Sequence, residues 1–292
     1  TMSSLHFSAY IEIRHLTRGH CDTVNSLSFS PGGTHLASGG DDTALCIWNI
    51  SRGQLLYRLL FDEAIDCVLW HPIHPETVIV GLSNGYMFQV YGFSLLTTRR
   101  YRIDLGARSA VFCFDYDSSS LCLAIGMGEE VHVTREVSQN SYDGDLILSR
   151  PVEEAGAGDQ RTRPVAVKFH KNGTNVIASY MNHGVICWDT TTRNILWHMT
   201  MPAQTPTMYV GSSALNPTHR YIAVHNVANG IDLYNVGGNG QQSPRKTYRF
   251  KERPKSIVHL QVRFIHGGKA LVSGTTTGGV LVWETGTGEA LQ

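Results

Sequence analysis

Residues 19–49 read GHCDTVNSLSFSPGGTHLASGGDDTALCIWN. Three short runs, VNSLSF, HLASG and ALCIWN, are separated by clusters of Pro, Gly, Ser, Thr and Asp. Short β-rich runs bounded by turn-forming residues predict small antiparallel strands joined by tight turns. The closing run LCIWN (45–49) has counterparts downstream: FQVYG (88–92), VHVTR (131–135), VICWD (185–189), IDLYN (231–235) and VLVWE (280–284). Aligned on Trp48, Tyr91, Thr134, Trp188, Tyr234 and Trp283, they are spaced by 43, 43, 54, 46 and 49 residues.

Each closing run has an upstream partner about twenty residues earlier that ends in a turn cluster, as VNSLSFSPGG (24–33) and VAVKFHKNG (165–173) do. Middle runs lie between them: HLASG, VIVGL, LCLAIG, VIASY, YIAVH and ALVSG. A more polar fourth run follows most units: QLLYRLL (54–60), TRRYRIDL (98–105), DLILS (145–149), ILWHM (195–199) and KTYRF (246–250). Four strands at a period of about 40–50 residues describe a β-propeller blade. One blade cannot bury both of its faces; stacking blades in a ring does.

On these residues the chain resembles the WD40 repeat family. Gly19-His20 with Trp48-Asn49 carries the resemblance, followed by Trp188-Asp189 and Trp283-Glu284. It covers roughly residues 10–292 and fades in the third and fifth repeats. The expected fold is all-β, a WD40-type propeller of six four-stranded antiparallel blades in one domain. Expected blades are 21–60, 61–105, 106–149, 164–200, 206–250 and 256–292, with an inserted loop at 150–163. The run AYIEIRHL (9–16) is expected to close the ring as an outer strand. The alternative is an incomplete seven-bladed ring within a longer chain, for which the non-Met first residue, Thr1, speaks.

The resemblance implies a structural hydrogen-bond network through His20, Ser38, Asp42 and Trp48. Ser179 with Trp188 and Ser273 with Trp283 are its partial copies. Loss of His20 or Asp42 is expected to cost about 1–3 kcal/mol. A hydrolase reading of Ser, His and Asp lacks a nucleophile elbow. His71-Pro72-Ile73-His74-Pro75 reads as a surface turn without an acidic neighbour, and the Gly-rich stretches 126–128 and 237–240 lack a phosphate loop's Lys-Ser/Thr. No catalytic residue, metal or cofactor is expected.

Lys+Arg and Asp+Glu each number 24, so no global field draws nucleic acid or membrane. No window approaches 18 consecutive apolar residues, so no membrane span is expected. The six cysteines form no CxxC pair, which suits buried thiols in a reducing compartment, cytoplasmic or nuclear. Function is expected where the chain departs from its repeat. Arg150, Glu153, Glu154, Arg161 and Arg163 of the inserted loop, and Lys246, Arg249 and Lys251 of the basic run 245–255, are the candidate partner contacts. The expected role is a non-enzymatic scaffold or adaptor for a protein or peptide partner, within a larger complex or longer chain. A nucleic-acid- or anionic-surface-associated propeller using the basic run is the alternative.

Overall fold

A computed structural model describes residues 10–93, 98–106, 108–151, 162–201, 210–252 and 259–292. The chain divides into two compact units, residues 14–196 and residues 1–13 with 197–292.

In the first unit every repeat folds into an antiparallel sheet, the last strand of the fourth running on into the second unit. Blade one is β1 (Val24–Phe29), β2 (His35–Gly40), β3 (Ala44–Asn49) and β4 (Gln54–Leu60), in that spatial order. Blade two is β5 (Ile65–Trp70), β6 (Thr77–Leu82), β7 (Met87–Tyr91) and β8 (Arg99–Ile103). Blade three is β9 (Val111–Asp117), β10 (Cys122–Met127), β11 (Glu130–Ser138) and β12 (Ser141–Leu148). Blade four is β13 (Pro164–His170), β14 (Asn175–Tyr180), β15 (Gly184–Asp189) and β16 (Ile195–Thr200).

The second unit carries the remaining sheets. Blade five is β17 (Val210–Leu215), β18 (Tyr221–Asn226), β19 (Gly230–Asn235) and β21 (Lys246–Arg249). The two-residue β20 (Gly240–Gln241) pairs in parallel with Met199 and Thr200 of β16. Blade six is β22 (Val262–Ile265), β23 (Ala270–Gly274) and β24 (Val280–Glu284). Beyond β24 the chain turns back, and Ala290 bridges to Trp283 while Leu291 N–H donates to the Val282 carbonyl. Residues 10–16, expected as an outer strand, have no strand structure. Tyr10 N–H instead donates to the Gln292 side chain, and its hydroxyl meets His266 Nε2 at 2.5 Å. Among the described residues the chain is thus a six-bladed β-propeller.

Apolar cores lie between successive blades. Ala37, Leu45 and Ile47 of blade one meet Ile65, Val68 and Trp70 of blade two. Equivalent clusters join blades two and three, three and four, and five and six. Each fully buried aliphatic or aromatic side chain contributes roughly 1.5–3 kcal/mol, so these seams dominate stability. Close approach needs a small residue at one register position. A Cβ on Gly39 would lie 2.3 Å from Ile65 of the next blade, and one on Gly81 2.7 Å from Val111. The innermost strand of each blade is a sheet edge whose outward N–H groups need acceptors. Side chains of the preceding inner strand supply them: Val68 N–H donates to Ser26 Oγ, Trp70 N–H to Ser28 Oγ and Phe169 N–H to Asp115. Val262 N–H donates to Ser212 Oγ in the same way.

Register corrects one equivalence. Trp48 pairs with Leu36, Trp188 with Val176 and Trp283 with Leu271. In blade two Val90, not Tyr91, takes that place, opposite Val78. Tyr91 is one residue further and stacks on Tyr101, 5.4 Å between ring centroids. A one-residue slip exchanges the faces of a strand, so the aromatic match at 91 was a coincidence of spacing.

Candidate functional site

The residues of the opening repeat converge. His20 Nδ1 lies 2.8 Å from Asp42 Oδ1, His20 Nε2 lies 2.7 Å from Ser38 Oγ, and Trp48 Nε1–H donates to Ser38 Oγ at 2.9 Å. With Asp42 ionised, the protons run one way, from Trp48 to Ser38 to His20 to Asp42. Asp42 also accepts from Cys21 N–H and from Arg58 Nη2, each at 3.1 Å. Burial by itself would raise the Asp42 carboxyl, but the hydrogen bonds from His20, Cys21, Arg58 and Ala44 overcome it and hold it at about 2. Gly19 leaves room for the Trp48 ring, since a Cβ there would sit 2.2 Å from it. The connectivity is that of a hydrolytic triad, yet Ser38 is only 2% exposed and its oxygen is already engaged. The hydrogen-bonding atoms of Ser38, His20 and Trp48 are thus taken up within the chain.

The partial copies are looser. In blade four, Ser179 occupies the register of Gly39, not of Ser38, and Trp188 Nε1–H reaches Ser149 Oγ at 3.4 Å. In blade six, Ser273 Oγ–H donates to the Gly274 carbonyl, and Trp283 packs on Tyr248 and Phe250.

Blades two and three are locked by a second node that sequence reasoning missed. His71 was read as part of a surface turn without an acidic neighbour; it is fully buried and faces Glu136 of β11. Tyr116 O–H donates to Glu136 Oε2 at 2.5 Å, His71 Nε2–H to the same oxygen at 3.1 Å and His74 Nε2–H to Oε1 at 2.9 Å. Two imidazoles and a carboxylate so close invite a metal reading. The donor set does not fit one. His71 Nδ1 accepts the backbone N–H of Ile73 at 3.2 Å and of His74 at 3.1 Å, so its proton resides on Nε2, the atom a metal would need bare. Burial lowers the His71 pKa to about 4, against the pull of Glu136, so the ring is neutral near pH 7. Three donors satisfy one buried carboxylate, and the chemistry is that of a clasp.

The residues expected to meet a partner are spread widely. Glu153, Glu154 and Arg161 lie outside the described residues. Arg150 is exposed and paired with Glu129 at 2.6 Å. Of the basic run, Arg249 Nη1 donates to buried Asp232 at 2.6 Å, Lys246 Nζ donates to the Gly286 carbonyl, and Lys251 is exposed. Tyr248 is buried with its hydroxyl donating to the Thr285 carbonyl.

Arg163 is different, and it marks a site. The inner strands of the first unit open with bulges at one shared register step: between Val24 and Ser26, Ile65 and Cys67, Val111 and Cys113, and Pro164 and Ala166. A bulge frees one residue from the ladder and re-aims its side chain. The freed residues are Asn25, Asp66, Phe112 and Val165, all half-buried at the end where the inner strands begin, here called the leading end. Arg163 reaches back over Phe112, its guanidinium 3.8 Å from the ring centroid. Asn25 Nδ2–H donates to Asp41 at 2.7 Å and to the Ile65 carbonyl at 3.1 Å, fastening blade one to blade two. Asp66 accepts no hydrogen bond from the described residues. Burial raises its pKa, Arg163 pulls it down and Asp41 pushes it up. The sequence signal for this site was faint: a polar or aromatic residue just after the first apolar residue in three of the four inner strands, Asn25, Asp66 and Phe112.

Among the described residues no helix is long and apolar enough to cross a membrane. Residues 12–49 match the family model of the WD domain, G-beta repeat. The ribosome biogenesis protein BOP1 homolog of Drosophila melanogaster is 40% identical over 68 residues, 23% of this chain and 8% of that protein. The ribosome biogenesis protein ERB1 of Yarrowia lipolytica is 30% identical over 101 residues, 30% of this chain and 12% of that protein. The chain therefore spans a small fraction of the length of these relatives. Among solved structures, the β-propeller domain of Cps50 (Swd1) of Myceliophteria thermophila aligns with a TM-score of 0.67 at 12% identity, over 92% of this chain and 85% of that one. One stretch, residues 12–49, thus matches the WD-repeat model in sequence, and the chain shares the fold of a β-propeller domain.

Proposed function

We propose that this propeller is a non-catalytic interaction scaffold that engages a protein partner through the leading end of its inner strands. The observation that carries this reading is the series of bulges, which sets Asn25, Asp66, Phe112 and Val165 on a surface stiffened by the cores beneath. A preorganised surface loses little ordering entropy on binding. Arg150, after β12, and Arg163, before β13, border the same end. The relatives that match 68 and 101 residues of the chain are named for ribosome biogenesis, which supports a role as one component of a larger assembly. The six free thiols support a cytoplasmic or nuclear location. The alternative use of the basic run for nucleic acid is weakened because Lys246 and Arg249 are already bonded within the chain.

Photo-crosslinking from single positions tests the reading in cells. A benzophenone side chain at Asn25 or Val165 is expected to capture a recurrent protein that one at Asn172 or Thr191, at the opposite end, does not. Capture from the opposite end alone would overturn it.

A further inference from the structure

We propose that the leading end of blades one to four binds an extended basic segment of a partner protein, with a lysine or arginine side chain seated at Asp66 beside Phe112. This rests on the scaffold reading and names the partner's chemistry.

The carboxylates of this end differ in what they already hold. Asp42 takes His20 and Arg58, Asp41 takes Asn25, Asp104 takes Arg102, and Glu129 takes Arg150. Asp66 alone of these is half-buried and accepts nothing from the described residues. A carboxylate partly withdrawn from water without donors is destabilised until a cation or donor arrives. Two further unpaired polar groups stand at this end, on the residues that lead into blade four. Thr162 is 3% exposed, and its Oγ1 has no hydrogen-bond partner; the buried Nε of Arg163 has none either. These polar atoms at one end lack the partners that a folded chain ordinarily provides.

Charge selects the occupant. The neutral composition conceals a sorted distribution. Segments at the leading end add Asp22, Asp62 and Glu63, and Glu130 at the start of β11, where it faces His132, against Arg18 and Arg108. Turns at the opposite end carry Arg52, Lys171 and Arg193 against Glu76. Asp117 and Asp189 there are engaged in capping their own turns. An acidic peptide or a phosphate backbone approaching Arg163 would meet Asp41 and Asp66 on the adjoining blades; a basic segment meets complementary charge. Phe112 adds an aromatic surface on which a cation already rests, in the form of Arg163.

Fluorescence anisotropy with the 292-residue chain provides the test. The probes are a labelled peptide with alternating Gly-Lys and Ala-Arg units, its Glu-substituted counterpart, and a single-stranded RNA of similar charge. The basic peptide is expected to bind, and Asp66→Asn to weaken it about tenfold or more, the worth of one charge-assisted hydrogen bond. Arg163→Met, which removes a competing cation, is expected to tighten binding, and Asp62→Asn to change it less than about twofold. Circular dichroism of Asp66→Asn checks that the fold is kept. Equal or stronger binding of the acidic peptide or the RNA overturns the proposal, as does indifference to Asp66→Asn. Val165→Arg, blocking the neighbouring bulge, separates the two levels. If it abolishes partner crosslinking in cells while Asp66→Asn does not, the basic chemistry is wrong and the scaffold stands. If neither does, both fail.

Discussion

Removal of the Asp42 carboxylate should be the sharpest single test of what holds blade one. The side chain is 2% exposed and accepts hydrogen bonds from His20, Cys21, Arg58 and Ala44. Its pKa falls from 3.8 in the unfolded reference to about 2. The shift from 3.8 to about 2, at about 1.4 kcal/mol per unit, corresponds to roughly 2.5 kcal/mol of stability. That stability is fully present above pH 3.8 and is lost as the pH falls through about 2, because the unfolded chain takes up the proton first. Asp42→Ala forfeits this at neutral pH and also leaves His20 Nδ1–H and Cys21 N–H without an acceptor, for a total of about 2–4 kcal/mol. Urea unfolding followed by tryptophan fluorescence reads the loss directly, with Trp48 inside the network. The variant should also have a flatter pH dependence than the parent between the two values, from pH 3.8 down to about 2. An unchanged urea midpoint, or a pH dependence parallel to the parent's, would refute the role assigned to the network.

Other outcomes follow from the same packing. Gln89 is fully buried with neither amide atom hydrogen-bonded, at a register where other blades place Ile47, Val133, Leu233 and Val282; Gln89→Leu should therefore stabilise the protein by about 1–2 kcal/mol in a urea melt. Gly19→Ala should destabilise by about 1–3 kcal/mol, since the new methyl collides with the Trp48 ring. Burial lowers His71 and His225 to about 4, so each contributes stability that is present above pH 6.5 and lost as the pH drops toward 4, up to about 3 kcal/mol apiece; His225→Leu should remove its share of that acid sensitivity. Glu136→Leu should cost about 3 kcal/mol by stranding three donors, whereas zinc or a chelator should leave the thermal midpoint of the parent unmoved.

The strands and their grouping were legible in the sequence because both depend on neighbours along the chain. Alternation within runs such as VNSLSF, and turn residues such as Ser30-Pro31-Gly32-Gly33, act over a few residues, and the period of the blade follows. Gly19, His20, Ser38, Asp42 and Trp48 stand in one repeat, so their meeting was legible too. Arg58 was not singled out, although its place on β4 opposite Cys46 brings it to Asp42. The register of blade two was misjudged by one residue, because Val90 and Tyr91 both suit a strand and only the hydrogen-bonded ladder decides between them. What the tertiary structure alone decided lies between blades. Glu136 finds His71 across 65 positions, and Phe112 receives Arg163 from the next blade. Bulges gather Asn25, Asp66 and Phe112 at one end of a chain whose net charge is zero. Contacts of that kind depend on how sheets stack, and a strand's own pattern of alternation carries no record of which side chains the neighbouring sheet will bring.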